Sequence, residues 1–380
     1  MSQKFGTHKK KVLFIHPDLR GGGAEKVLVN LLNSLPKDDF DYTLLTFFQE
    51  GVNKEFLSNE ITHYYVFKKV FRGWSKLQKV FSQRFLFRRL VKKDYDVIIG
   101  YLEGVPTRLL GGSNNPKTKL IAWVHVDLTD FQIEKVFRSK EEMKNTYKRL
   151  DAVVGVSHRA LNSIKKLIEI PVKKLHVIHN VVDTDYIINR GVEPVDDVTF
   201  SDEMINLCSV GRLTHQKGYE RLINALEHLK QNNIKFHLFL LGKGELEEEL
   251  VQQVSKLSLE ENVTFLGFQN NPHKYVQKCD LFVCSSYQEG FSTAVTESVL
   301  LGTPVITTDC AGMEEILDNG KVGMIVENSE TALKEGLQKI VSDKSLYKKY
   351  LSETQAKSLV FQNKDNAKSV TDLLTNLLEN

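Results

Sequence analysis

Short apolar runs recur along nearly the whole chain, separated by stretches in which apolar positions return every three or four residues. In the first half the runs are Val12–His16, Tyr42–Phe47, Val97–Tyr101, Leu120–His125, Ala152–Val156 and Leu175–Ile178. In the second half they are Ile205–Val210, His237–Leu241, Val263–Leu266, Leu281–Cys284, Pro304–Thr307 and Gly323–Val326. Helical periodicity marks Ala24–Leu35, Tyr219–Leu229, Glu245–Leu257 and Thr293–Leu301. Continuous apolar strands alternating with helices predict α/β architecture, with parallel sheets covered on both faces. Twelve strands overfill one sheet, so two doubly wound domains are expected. The segment Arg190-Gly-Val-Glu-Pro-Val-Asp-Asp lacks periodicity and carries breakers, which places the boundary within Val182–Asp202. The resulting division is a first domain over 1–190, a second over 200–355, and a terminal helical segment over 356–380. Doubly wound sheets bind ligands at the carboxyl ends of their strands, so a cleft shared by the two domains is the expected site.

Composition alters this picture at one point. The 380 residues carry a net charge of only +3. Yet residues 1–190 hold 33 Lys+Arg against 20 Asp+Glu, leaving the remainder acidic. A basic first half faces something anionic: phosphates, a membrane or nucleic acid. The four cysteines, Cys208, Cys279, Cys284 and Cys310, form no CxxC pair, which points to buried thiols in a reducing compartment rather than a zinc site. The apolar run after Lys9-Lys10-Lys11 is too short for a signal-peptide core, and no stretch approaches the ~18 apolar residues of a membrane span. A cytoplasmic location, or the cytosolic face of a membrane, follows as the expectation.

Three strand-to-helix loops have the composition of phosphate sites. Gly21-Gly22-Gly23-Ala24-Glu25 lets a backbone approach an anion at a helix start, although it has neither dinucleotide nor Walker spacing. Gly211-Arg212-Leu213-Thr214-His215-Gln216-Lys217-Gly218 offers a planar and a point cation suited to a diphosphate, or simply solvated loop charge. In Glu289-Gly290-Phe291-Ser292-Thr293-Ala294-Val295-Thr296-Glu297, helix-start amides suit a phosphate and two carboxylates suit sugar or ribose hydroxyls. Apolar neighbours of Glu297 mark its helix as largely buried.

Taken together, these segments resemble the family-4 retaining glycosyltransferases of GT-B fold, of the bacterial surface-polysaccharide type. The resemblance is carried by Glu289 and Glu297 followed by Gly302-Thr-Pro-Val-Ile, by Val210-Gly211-Arg212 with Lys217-Gly218, by Gly22-Gly23-Ala24-Glu25, by His125 after a strand, and by His179-Asn180-Val-Val-Asp183. It implies two Rossmann-like domains facing across a cleft and a nucleotide-sugar donor, with UDP as the expected base. It further implies that Arg212 and Lys217 neutralise the diphosphate, Glu297 bonds the ribose, Glu289 contacts the transferred sugar, and Phe291, Ser292 and Thr293 hold phosphate or sugar through the backbone. Gly22 and Gly23 would close from the other domain, and His125 would sit near the reacting sugar. Ser292 departs from the family's common Pro, and Ser298 from its common Ala. A last helix, roughly Lys364–Leu378, would return to the first domain.

The implied reaction retains anomeric configuration, yet no residue suits the carboxylate nucleophile of retaining glycosidases. A same-face attack assisted by the leaving phosphate is therefore expected, with His125 positioning the sugar ahead of acting as base. The pairs Asp39/Asp41, Asp94/Asp96 and Asp183/Asp185 have Asp-x-Asp spacing but read as turn or cap residues, so no metal and no cofactor is expected.

Residues Phe67–Lys93 contain ten Lys/Arg and no acid. Phe67, Val70, Trp74, Leu77, Phe81 and Phe85 form an apolar stripe if helical, flanked by Lys68, Lys69, Arg72, Lys76, Lys79, Arg84, Arg88 and Arg89. Such a face suits an anionic membrane, whereas Gly73 weakens one continuous helix and a sheet-packed helix is the alternative. A lipid-linked or oligosaccharide acceptor follows from charge and family analogy. Nucleic acid is not expected, because no recognition motif accompanies the basicity. Competing functions are a nucleotide-sugar epimerase of related fold, an NAD-type oxidoreductase (disfavoured by the missing GxGxxG), and a non-catalytic membrane-binding module.

Overall fold

The computed structural model describes residues 8–20, 22–71, 73–129, 135–361 and 366–379. It divides into two compact units, one of Met1–Val182 with Asp365–Asn380 and one of Asp183–Lys364. The first opens with β1 (Lys10–His16), α1 (Gly23–Ser34), β2 (Phe40–Phe48) and β3 (Thr62–Phe67). Next come α2 (Trp74–Leu77), α3 (Gln83–Leu90), β4 (Val97–Gly100), α4 (Val105–Leu110) and β5 (Lys119–Val124). Then follow α5 (Lys140–Lys148), β6 (Ala152–Gly155), α6 (His158–Leu167) and β7 (Leu175–Val177). The seven strands pair in parallel in the order β3-β2-β1-β4-β5-β6-β7. The chain winds outward from β1, returns beside it as β4, and winds the other way, so the topological switch point lies between β1 and β4. Val12, Leu13, Phe14 and Ile15 are all buried, as a central strand covered on both faces requires. β3 is the one strand absent from the sequence reading. It is an edge strand whose Thr-His-Tyr-Tyr-Val-Phe sequence is exposed or half-buried throughout.

The second unit begins with α7 (Thr184–Gly191), β8 (Ile205–Val210), α8 (Tyr219–Gln231), β9 (Phe236–Leu241) and α9 (Glu247–Lys256). It continues through β10 (Val263–Gly267), α10 (His273–Lys278), β11 (Leu281–Cys284), α11 (Thr293–Leu300) and β12 (Val305–Thr308). α12 (Met313–Ile316), β13 (Met324–Val326), α13 (Glu330–Ser342) and α14 (Lys344–Phe361) complete it. All six expected strands are present, in the parallel order β10-β9-β8-β11-β12-β13. Leu207, Leu238, Val283 and Ile306 from four adjacent strands meet Leu222, Leu226 and Leu337 of the covering helices in one buried cluster. The sequence division at residue 190 differs from the structure because α7 packs on α10 and α11 of the second unit. The terminal segment is two helices. α14 packs on α11 and α13, whereas α15 (Asn366–Glu379) belongs to the first unit, burying Val370 and Leu374.

The basic segment is not one helix. Gly73 sits at φ +93°, α2 lasts a single turn, a 3-10 turn follows at Gln78–Val80, and Ser82 starts α3 by accepting the Phe85 N–H. Trp74 turns inward against Phe47 and Phe67, with ring centroids at 5.8 and 5.0 Å. Leu77, Val80, Phe81 and Phe85 are exposed, the last two with stacked rings. Around them Lys68, Lys69, Lys76, Arg84, Arg88 and Arg89 are exposed and Lys79 half-buried, while Arg72 lies outside the described residues. A buried guanidinium fixes this turn: Arg108 donates to the Gln78 and Phe81 carbonyls, both at 3.0 Å, and to Glu142 at 2.9 Å. Arg138 donates to the carbonyls of Lys79 and Val80. Replacing Arg108 with Leu removes the cation that faces the half-buried Glu142 carboxylate, which then keeps only the Arg138 N–H among the described residues, and takes the guanidinium from the Gln78 and Phe81 carbonyls. Chemical denaturation is expected to show a loss on the order of 3 kcal/mol.

Candidate functional site

In the second unit, two neighbouring strand-to-helix loops build the site. β8 and β11 pair directly, so the loops leaving their carboxyl ends are adjacent. The first loop runs through a 3-10 turn at His215–Lys217 into Gly218, whose φ of +62° favours glycine. A Cβ there would lie 2.2 Å from the Ser285 carbonyl oxygen, so the close approach of the loops also demands glycine. Arg221, on the first turn of α8, is buried and donates to the carbonyls of Ser285 at 2.7 Å and Ser286 at 2.6 Å. The Tyr287 ring lies 3.9 Å from its guanidinium carbon.

This clamp sets the charged groups. Lys217 Nζ donates to Glu289 Oε1 at 2.6 Å, and the Ser286 hydroxyl donates to the same oxygen at 2.6 Å. Burial by itself would lower the Lys217 pKa, but the adjacent Glu289 carboxylate outweighs it, and the ammonium is held charged well above its ordinary range. The pair borders a small recess lined also by Ser209, Ser292 and Ala294. Ser292 caps α11 by accepting the Val295 N–H, a bond that the Pro common in relatives cannot make. Phe291 is buried beside it and Thr293 half-buried, at a helix start whose first-turn amides favour an anion. Arg212 is exposed on the β8 loop. Glu297 lies one turn along α11, buried, and meets the buried His273 Nε2 at 3.1 Å.

The first unit presents a second group of side chains at its strand ends. Gly22 caps α1 in an extended conformation, and Gly23 begins the helix. Gly21 lies outside the described residues. His125 follows β5 directly, its backbone N–H donating to Glu103 Oε2 at 2.8 Å and its ring edge-on to Tyr101 at 4.7 Å. Burial, and secondarily the nearby His16, push the His125 pKa down to about 3. Burial likewise lowers His16 to about 4. Both imidazoles are therefore neutral at pH 7, and neither Nε2 has a hydrogen-bond partner among the described residues. A neutral, unpartnered Nε2 suits hydrogen bonding to a hydroxyl.

Within each unit, several expected residues come together: Lys217, Glu289 and Ser292 in one, His125 at the sheet switch region in the other. His16, Glu103, Arg221, His273 and Ser286 were not legible in the sequence. None sits in a spacing motif, and each acquires its place through a contact distant along the chain. Of the Asp-x-Asp pairs, Asp183 caps α7 and Asp96 accepts the Lys11 N–H. Among the described residues no three His, Cys, Asp or Glu side chains gather as a metal site requires, and all four cysteines are buried free thiols.

The model described as Glycosyltransferase Family 4 matches residues 21–186, and that described as Glycosyl transferases group 1 matches residues 196–357. The chain belongs to the family-4 glycosyltransferases. Among its relatives in this family, N-acetylgalactosamine-N,N'-diacetylbacillosaminyl-diphospho-undecaprenol 4-alpha-N-acetylgalactosaminyltransferase of Campylobacter jejuni is 33% identical over 61% of each chain. This glycosyltransferase thus spans about three-fifths of that relative's length. A second C. jejuni protein, an alpha-1,4-N-acetyl-D-galactosaminyltransferase named for a diNAcBac-PP-undecaprenol saccharide, is 25% identical over 93% of this chain and 94% of its own. Among solved structures, Anabaena HepE in complex with UDP and glucose superposes with a TM-score of 0.74 at 20% identity, covering 97% of this chain and all of that one. WaaG, described as involved in lipopolysaccharide biosynthesis, gives 0.67 at 16% identity over 96% and 99%. These structures share the GT-B fold with this glycosyltransferase.

Gly218→Ala places a Cβ against a carbonyl held by Arg221 and adds left-handed strain. Thermal or urea unfolding is expected to show a loss of roughly 2 kcal/mol. Unaltered stability would mean that the two loops do not approach this closely.

Proposed function

We propose that this glycosyltransferase moves a sugar from a UDP-sugar to a lipid-linked saccharide, with retention of anomeric configuration and without a metal, in the assembly of a cell-surface polysaccharide. The Lys217–Glu289 pair carries the reading, set beside the capped start of α11. Breaking the anomeric C–O bond leaves a nucleoside diphosphate, and its developing charge needs fixed positive partners. Lys217 and Arg212 supply cations, and the first-turn amides of α11 supply dipoles. Glu289 accepts hydrogen bonds from sugar hydroxyls, while its contact with Lys217 keeps that ammonium in place. Glu297 takes the ribose hydroxyls, oriented by His273. The acceptor oxygen attacks from the face the diphosphate leaves, and its proton passes to a departing phosphate oxygen. His125, neutral, positions the sugar. The UDP complexes of HepE and the undecaprenol-linked names of the C. jejuni relatives support this choice of donor and acceptor.

A diphosphate lipid brings the acceptor to an anionic bilayer. The exposed Leu77, Val80, Phe81 and Phe85, ringed by lysines and arginines, suit the inner face of a membrane. Among the described residues no helix is long and apolar enough to cross a membrane.

UDP is expected to raise the melting temperature of the protein. Lys217→Ala and Glu289→Ala should each lower transfer at least 100-fold while the fold persists by circular dichroism. Wild-type turnover in both variants removes the site, and dependence of turnover on a divalent cation, lost on adding EDTA, removes the metal-free mechanism. Neutralising Lys76, Lys79, Arg88 and Arg89 together should reduce co-sedimentation with vesicles containing anionic phospholipid. Unchanged co-sedimentation refutes the membrane role of the turn.

A further inference from the structure

Glu103 lies two residues beyond Tyr101, past the carboxyl end of β4 and next to the switch point of the first sheet. It is buried, and among the described residues no lysine or arginine pairs with it. Arg108, on the following helix α4, is committed to Gln78, Phe81 and Glu142. The groups facing Glu103 are His125 at the end of β5, with His16 at the end of β1 behind it, and Tyr147 on α5. Burial holds both histidines neutral and raises the Tyr147 phenol, so none of them carries charge near pH 7. What Glu103 does hold is the backbone N–H of His125, at 2.8 Å.

A glutamine could accept the same N–H without placing an ionisable group in a buried site. An ionisable carboxyl without a cation is a cost to the fold that a structural role does not require. The geometry points to Glu103 as a positioning residue: its ionised carboxylate fixes the chain at His125 and thereby aims the unpartnered His125 Nε2 at a sugar hydroxyl. A hydrogen bond to a charged acceptor is shorter and stronger than one to a neutral acceptor, so ionisation tightens this turn. Burial pushes the Glu103 carboxyl up to about 7, against which its bonds to backbone N–H groups act only partly. The carboxylate form thus gains population as pH rises through about 7. The stability contribution runs the opposite way: a raised carboxyl stabilises the fold below its ordinary range, and that contribution is lost as pH rises through about 7. Function and stability therefore oppose each other at this residue, as at many functional sites.

This inference rests on the proposed placement of the sugar near His125, and its test separates the two. In the full-length wild-type protein, kcat/KM for UDP-sugar turnover should rise with pH through an apparent pKa near 7. Glu103→Gln should be flat from pH 6 to 9 and about tenfold below wild type at pH 8, with a melting temperature at pH 8 equal to or above wild type. Histidine-ring NMR supplies a readout that needs no substrate. The His125 ring resonances should shift through pH 7 in the wild type and not in Glu103→Gln. A Glu103→Gln protein with the wild-type pH profile, or with the same histidine titration, overturns the inference. So does an activity loss that tracks a fall in melting temperature. If Glu103→Gln does not fold, it is overturned equally, because the amide would then fail structurally. Absence of UDP binding by the wild type counts against the donor reading and leaves the NMR test of Glu103 standing.

Discussion

The contact between Lys217 and Glu289 sets how closely the two site loops of the second unit must meet. An ammonium and a carboxylate drawn out of water each carry a desolvation penalty of several kcal/mol, recovered only with close geometry and further hydrogen bonds. The 2.6 Å separation and the Ser286 hydroxyl meet that condition. For the pair to form, the loops leaving β8 and β11 must touch. Everything around it serves this requirement: the parallel pairing of the two strands, the missing side chain at Gly218, and the Arg221 guanidinium bound to consecutive carbonyls. For the proposed reaction the pair is also chemically apt, since a cation already fixed in place needs no reorganisation when a bond to phosphate breaks.

Arginine is used in the two units for the same physical task. Arg221 in one and Arg108 in the other are buried, and each binds backbone carbonyls of a loop rather than chiefly a carboxylate. The planar, permanently charged guanidinium satisfies several acceptors at fixed angles, which a lysine cannot do. In the second unit this orders the site. In the first it holds out a turn that exposes aromatic and aliphatic side chains, a conformation that hydrophobic burial alone would collapse.

Histidines and acids at the strand ends of the first unit present the reverse electrostatics. His16, Glu103 and His125 are buried without cations, so their charged forms are disfavoured and they act as neutral hydrogen-bonding groups or titrate near neutrality. A site of this kind handles hydroxyl groups well and a diphosphate poorly.

Periodicity in the sequence determined the strands that are apolar on both faces, and with them the α/β class and the two-sheet division. α7 was counted with the first half because helical pattern does not reveal which sheet a helix covers. The basic aromatic stretch has a helix-like repeat, but a buried Arg108 from a later helix competes for its carbonyls and Gly73 breaks it, so only the tertiary structure decided which rings turn inward. Lys217, Glu289 and Ser292 were legible because they lie in short loops between elements that the pattern already located. Arg221 against the Ser285 and Ser286 carbonyls, His273 against Glu297, and Glu103 against the expected His125 join segments widely separated in the chain. Such contacts depend on strand order and burial, quantities that a linear pattern does not encode.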